Sequence, residues 1–447
     1  MSRTQADPIV VVGAGWAGLA CALTLARQGK KVTVLEAAPQ AGGRARSIPF
    51  GTSTVDNGQH ALLGAYHHTL TISKWLNIPE NVILNRLPLD FCTIDPQKPH
   101  QTLGITLPQL PFPLQFFAGL LKAKGISIRE KLKISQFSYE LYQNDFQLKE
   151  DISVKTLLSH AKQSDTMINQ FWGPLALAAL STPIEIASAQ VFLHVLKDAF
   201  THQSGNSDWL LPKVDLSQML PQPLIQYLNK QQCSVLYHHR VRTLMIENGQ
   251  CIGVSTQYRD FRAEAVILAT PPHTTAELLG SQKNLRSFDK LIADLSRFHY
   301  QPITTIYLKY PKPINLPKPL IGLINSLGQW IFDRKTSGQP DILSVIITSQ
   351  GRHSTLNHAT LITELSQELS QLFPTLQEKP LEARVICEKR AAFSCEVGIS
   401  AFRPPNNTPF ANLLLAGDYT QTHYPATLEG ALQSGIKAAE LLLLTYA

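Results

Sequence analysis

Along the first forty residues the apolar positions change rhythm twice. Residues 9–12 (IVVV) are β-branched and wholly apolar, the pattern of a short strand buried on both faces. Gly13, Gly15 and Gly18 follow in GxGxxG spacing. An alanine- and leucine-rich stretch then runs from Leu19 to Arg27, a helix that Gly29 would stop. Residues 31–35 return to strand character and close on Glu36. Strand-like runs recur at 234–237, 240–246, 251–254 and 265–269, with turn signals at Asn248-Gly249 and Pro271-Pro272. One more, 412–416, precedes Gly417-Asp418. This recurrence predicts an α/β fold whose central sheet the chain leaves and re-enters.

Each part of the first unit has a physical task. Gly13 permits a tight turn, Gly15 lets the backbone approach a pyrophosphate, and Gly18 lets helix and strand pack closely. The helix start, with Ala14, Trp16 and Ala17 around it, offers free N–H groups and a partial positive charge to phosphates. Glu36 can accept two hydrogen bonds from ribose hydroxyls, and its charge disfavours a 2′-phosphate. A glycine turn without ligand does not explain Glu36. Dinucleotide binding does.

Composition narrows the class. The 447 residues include 44 % hydrophobic and 16 % charged positions, which excludes a disordered chain. The length exceeds what one core usually supports, so two joined domains are expected. A net charge of +7 is spread along the chain, without the clusters of basic and aromatic residues that nucleic acid favours, and no nucleic-acid partner is expected. Six cysteines without CxxC spacing point away from a disulfide scaffold or a metal site and towards a reducing, cytoplasmic compartment. No run approaches the roughly 18 apolar residues that span a bilayer, and no signal peptide is expected. The protein is expected to be soluble, or peripheral on the inner face of the cell membrane.

After Glu36 comes AAPQAGGRARS, with Gly43 and Arg44 in a loop suited to a large ligand with phosphates. This resembles the extended FAD signature of the amine oxidase and phytoene desaturase superfamily. In that superfamily a strand–Gly–Asp element near the C-terminus holds the flavin's ribityl and phosphate portion, matching Gly417 and Asp418. The helix after it, starting near Thr427 and Leu428, would aim its N-terminus at the flavin's pyrimidine edge, favouring the negative charge of the reduced ring. Val241 occupies the position whose backbone meets the adenine. The resemblance implies a Rossmann-like FAD-binding domain of the glutathione-reductase type. It is discontinuous in sequence, built from 1–75, 230–285 and 405–447, beside an α+β substrate domain of 76–229 and 286–404.

One subgroup is matched more closely. DNGQH at 56–60 with LGAY at 63–66, FWGPL at 171–175 with Ala178-Ala179-Leu180 and Thr182-Pro183, and Ala416-Gly417-Asp418-Tyr419 with Pro425-Ala426-Thr427 resemble the hydroxysqualene dehydroxylases, also described as squalene-associated FAD-dependent desaturases. The resemblance implies that a C30 isoprenoid, hydroxysqualene, loses its hydroxyl and gains a hydride from reduced FAD, in bacteria often on the way to hopanoids. It also implies that Gly58, Gln59 and His60 lie near the flavin ring.

Such a reaction needs an acid. His60 and Asp56 are candidates, as are His423 and Tyr424. Asn57, Gln59 and His60 equally suit hydrogen bonds to flavin or backbone, and Asp56 suits a turn cap. Residues 171–182 carry no charge and fit either plain core or the wall of a greasy tunnel. Residues 108–133 set Phe112, Leu114, Phe116, Phe117, Leu120 and Leu121 beside Lys122, Lys124, Arg129, Lys131 and Lys133, a pattern that fits a membrane-contact segment or a buried helix with a solvated basic end. A carotenoid or phytoene desaturase on the same scaffold is the alternative, and a flavin-free prenyl-lipid carrier a more distant one.

Overall fold

A computed structural model of the chain describes residues 7–98, 102–110, 114–201, 203–281 and 286–445. Its organising element is a parallel sheet of five strands in the order Ser234–Leu236, Val32–Leu35, Ile9–Val12, Val266–Leu268 and Leu413–Leu415. Three separated stretches of chain therefore supply one sheet. The strand Ile9–Val12 shows why its residues are uniformly apolar. Ile9 and Val11 face one core, Val10 and Val12 the other, so both sides of the pleat are buried.

On one face lie the helices Trp16–Arg27 and Leu428–Thr445, packed almost backbone to backbone. A Cβ on Gly435 would come within 2.1 Å of the Ala17 carbonyl oxygen, so only glycine allows that approach. The first helix begins at Trp16, three residues before the apolar stretch suggested, because Gly15 is already extended at its N-cap. Its free N–H groups therefore fall inside the glycine motif.

The strand-like runs between 240 and 254 do not join this sheet. Val241–Glu247 and Gln250–Thr256 pair antiparallel with Asp260–Arg262 as a separate three-stranded sheet, whose Leu244 and Val254 share a core with Val10 and Val12. Asn248 and Gly249, both at positive φ, make the hairpin turn.

The rest centres on a seven-stranded sheet in the order Glu382–Phe393, Tyr300–Lys309, Ile342–Thr348, Trp330–Asp333, Leu320–Leu323, Asp90–Ile94 and Thr102–Thr106. All its pairs are antiparallel except Leu320–Leu323 with Asp90–Ile94. A helical block, from Leu114–Lys122 to Ala189–Phe200, completes this part. No helix among the described residues is long and apolar enough to cross a membrane.

Candidate active site

One cavity of about 760 Å³ runs from the glycine motif to the seven-stranded sheet and the helical block. At its first end the three glycines meet three different constraints. Gly13 sits at φ +107°, and a Cβ there would lie 2.6 Å from the Ala269 carbonyl oxygen. A Cβ on Gly18 would meet the Gly13 oxygen at 2.0 Å, so its hydrogen is what lets helix and turn touch. Gly15 faces nothing within 4 Å and lines the cavity. The space beside it is the cradle a phosphate chain needs.

Glu36 stands at the end of the second strand and lines the same space. Its carboxylate accepts the N–H of Ala14 at 2.7 Å and of Ala38 at 2.8 Å, which aims it into the cavity. The loop carrying Gly43 is clamped to the motif where the Gly42 N–H donates to the Ala14 carbonyl at 2.9 Å. Val241, Gly417, Asp418, Thr427 and Leu428 converge on the cavity from far along the chain. Thr427 accepts the Gly430 N–H at 3.1 Å, capping the last helix so that its N-terminus opens on the cavity.

The sequence model of flavin-containing amine oxidoreductases matches residues 16–443. The chain belongs to that family. Among curated relatives it is 28 % identical to hydroxysqualene dehydroxylase of Rhodopseudomonas palustris, over 99 % of both chains. It is 21 % identical to a probable zeta-carotene desaturase of Synechococcus elongatus, over 97 % of this chain and 98 % of that one. A solved oxidoreductase from Methanosarcina mazei superposes with a TM-score of 0.75 at 18 % identity, covering 97 % and 100 % of the two chains.

This flavoprotein is an oxidoreductase whose cofactor is FAD, and the open cradle at Gly15 fits it. Gly13, Gly15, Trp16, Ala17, Glu36 and Gly43 line the nucleotide end, whereas Ala14 and Gly18 act from behind, through Glu36 and through helix packing. Bound there, FAD supplies hydride chemistry at its ring. The capped helix start at Thr427 and Leu428 presents the positive end of its dipole to the same cavity.

The structure changes some of these expectations. Arg44 does not hold a free cation towards phosphates; its guanidinium grips both Asp418 oxygens at 2.8 Å and donates to the Ala391 carbonyl at 3.0 Å. Asp56 is not among the cavity-lining residues. Its buried carboxylate accepts the Leu216 N–H at 2.7 Å, and burial pushes its pKa up to about 7. It holds a helix start and cannot reach a substrate in the cavity.

His60 does line the cavity, but its Nδ1 lies 2.7 Å from the Gly58 carbonyl oxygen, which makes Nδ1 the protonated nitrogen and leaves Nε2 an acceptor. Burial lowers its pKa, so the ring is a poor proton donor. Gln59 is committed as well: its Oε1 accepts from the buried Arg334 and from Ser344. Asn57 bridges the backbones of Arg46 and Arg44. Of the C-terminal pair, Tyr424 lines the cavity and His423 does not.

Beyond the nucleotide end the lining turns apolar. Phe91, Ile105, Leu107, Phe116, Leu120, Ile134, Phe171, Leu175, Trp330 and Phe332 surround it. Residues 171–182 thus divide between tunnel wall, with Phe171, Leu175, Ala178 and Ala179, and core, with Trp172 donating to Gln163 at 3.0 Å. Pro174 has no N–H for the Gln170 carbonyl, and the Thr93 hydroxyl donates to that oxygen at 2.8 Å.

Sequence reasoning missed Arg403 and Asp198. Arg403 is 2 % exposed and donates to the carbonyls of Asp418, Tyr419, Thr420 and Tyr424, holding the loop between sheet and last helix. Nothing near Arg403 in sequence marks a loop that only packs onto it in three dimensions. Asp198, which lines the cavity from the helix Ala189–Phe200, had a readable signal, a lone carboxylate beside an apolar helical stripe.

Proposed function

We propose that this flavoprotein reductively removes the hydroxyl of hydroxysqualene, giving squalene. The observation that carries the reading is the likeness to hydroxysqualene dehydroxylase along essentially the whole chain, at higher identity than to the zeta-carotene desaturase. A cavity that joins the flavin cradle to a charge-poor aromatic and aliphatic chamber supports it, since a C30 hydrocarbon binds by burial of apolar surface. FAD supplies the hydride; the protein orients the chain, keeps water out and provides one proton. Hopanoid synthesis is a natural consumer of the product.

In this reading the enzyme works from the inner face of the cell membrane. The helices Leu114–Lys122 and Ile128–Gln143 leave Leu114, Leu121, Ile128 and Leu132 between 61 and 79 % exposed, while Phe116, Leu120 and Ile134 on the same helices line the cavity. Lys122, Lys124 and Arg129 are exposed beside them. Lys131 and Lys133 donate to the Leu121 and Lys162 carbonyls, and Phe112 lies outside the described residues. A substrate dissolved in the bilayer would enter here.

The test is anaerobic incubation of holoenzyme with chemically reduced flavin and either hydroxysqualene or phytoene, with products separated by gas chromatography. Squalene from the first and unchanged phytoene in the second are expected. Desaturated phytoene without squalene would instead make the protein a carotenoid desaturase.

A further inference from the structure

The greasy part of the cavity has a polar interruption. Helix Ala189–Phe200 turns Phe192, Val195, Leu196 and Ala199 to the cavity, at i, i+3, i+4 and i+7, and Asp198 lines the same wall. Its carboxylate accepts the Tyr424 hydroxyl at 2.5 Å. Tyr424 reaches it from the loop that leads into the last helix, and its ring meets the cavity-lining Tyr66 edge-on at 6.4 Å. Arg403 fixes this tyrosine by donating to its carbonyl at 2.6 Å.

The other carboxylates along the cavity are placed for different work. Glu36 serves the nucleotide end, and Asp418 is clasped by Arg44. Glu388 lies in the field of that same Arg44, and Glu277 is exposed. A carboxyl and a phenol side by side in an apolar wall are complementary to an alcohol, one group accepting where the other donates.

We infer that Asp198 and Tyr424 receive the hydroxyl of an isoprenoid alcohol, and that Asp198 is the catalytic acid that passes a proton to the departing oxygen. The inference rests on the dehydroxylase reading. The carboxyl O–H bond breaks and its proton joins the substrate oxygen. The allylic C–O bond then breaks with both electrons on oxygen, which departs as water. A hydride from reduced flavin completes the new C–H bond, leaving oxidised flavin and the Asp198 carboxylate, with the Tyr424 hydroxyl donating to it. His194, whose Nε2 lies 3.6 Å from Asp198 and whose side chain is partly exposed, gives solvent protons a way back.

Asp198→Asn keeps size and an acceptor for Tyr424 while removing the acid. In holoenzyme it should hold FAD and bind squalene as the wild type does, read by quenching of the cavity tryptophans Trp209 and Trp330. Turnover of hydroxysqualene, and flavin reoxidation in a single turnover, should fall by about 100-fold or more. Asp198→Glu should recover part of that loss. Tyr424→Phe should weaken binding of hydroxysqualene about tenfold, the net worth of one hydrogen bond to the alcohol, and leave squalene binding unchanged. Undiminished turnover in Asp198→Asn, or equal loss of squalene and hydroxysqualene binding in both variants, overturns the assignment while the dehydroxylase reading stands. A wild-type holoenzyme that makes no squalene overturns that reading and the acid role with it.

Discussion

Arg44 and Asp418, 374 positions apart in the chain, meet as a two-pronged ion pair with both bonds at 2.8 Å. The arginine sits on the loop after the second strand, and the aspartate follows the last strand of the same sheet. Asp418 is only 5 % exposed, so its charge depends on that partner. The pair closes the cavity wall between the two ends of the polypeptide, and both residues face the cofactor space.

Arg44→Ala should therefore act as a stability mutation as well as a binding one. Stranding a buried carboxylate costs about 3 kcal/mol. The apoprotein melting temperature should drop, and FAD should be lost on gel filtration. Arg44→Ala combined with Asp418→Asn should be less destabilising than the two effects summed, because the stranded charge is gone. Strict additivity would show that the pair is not coupled.

Two glycines of one motif should fail differently. Gly15→Val adds a side chain where the protein has no atom, so the variant should fold with a near-normal melting temperature and purify colourless. Gly18→Val drives its Cβ into the Gly13 carbonyl and should reduce soluble yield before any question of flavin arises. A yellow Gly15→Val protein would mean that the cofactor does not pass beside this turn.

Asp56 adds a pH dependence to stability. Its folded pKa of about 7 lies above the unfolded value of 3.8. Between those values the folded state holds a proton that the unfolded state has lost. The stabilisation is thus complete below the unfolded value and lost as pH rises through the folded one. Asp56→Asn keeps the acceptor for the Leu216 N–H without the ionisation. The melting temperature of the variant should gain on the wild type between about pH 4 and about pH 7 and then level off, with a ceiling of about 4 kcal/mol. A constant difference across that range would show that Asp56 titrates normally.

Membrane contact is tested by flotation with vesicles of phosphatidylcholine and phosphatidylglycerol. Wild-type protein should float with them, and added salt should weaken the association. Leu121→Glu with Ile128→Glu should leave it at the bottom of the gradient, with its melting temperature unaltered because both side chains are more than three-quarters exposed. Flotation of the double variant equal to the wild type would move the contact elsewhere.

The nucleotide end was legible from residue order because its constraints are local. A turn that admits only glycine, a helix start and an acid at a strand end lie within thirty residues, so their spacing is their geometry. The C-terminal Gly417-Asp418 and the helix beyond it were picked out by a family resemblance, and they line the same cavity. Tertiary structure decided which charges are available. Arg44 is spent on Asp418, Gln59 on Arg334 and Asp56 on a backbone N–H, all partners more than a hundred residues away. It also set Asp198 against Tyr424, and sent the strands at 241–256 to a sheet of their own. Local pattern records what a backbone can do; which side chains neutralise one another depends on folding having brought distant segments within about 3 Å, the range where hydrogen bonds act.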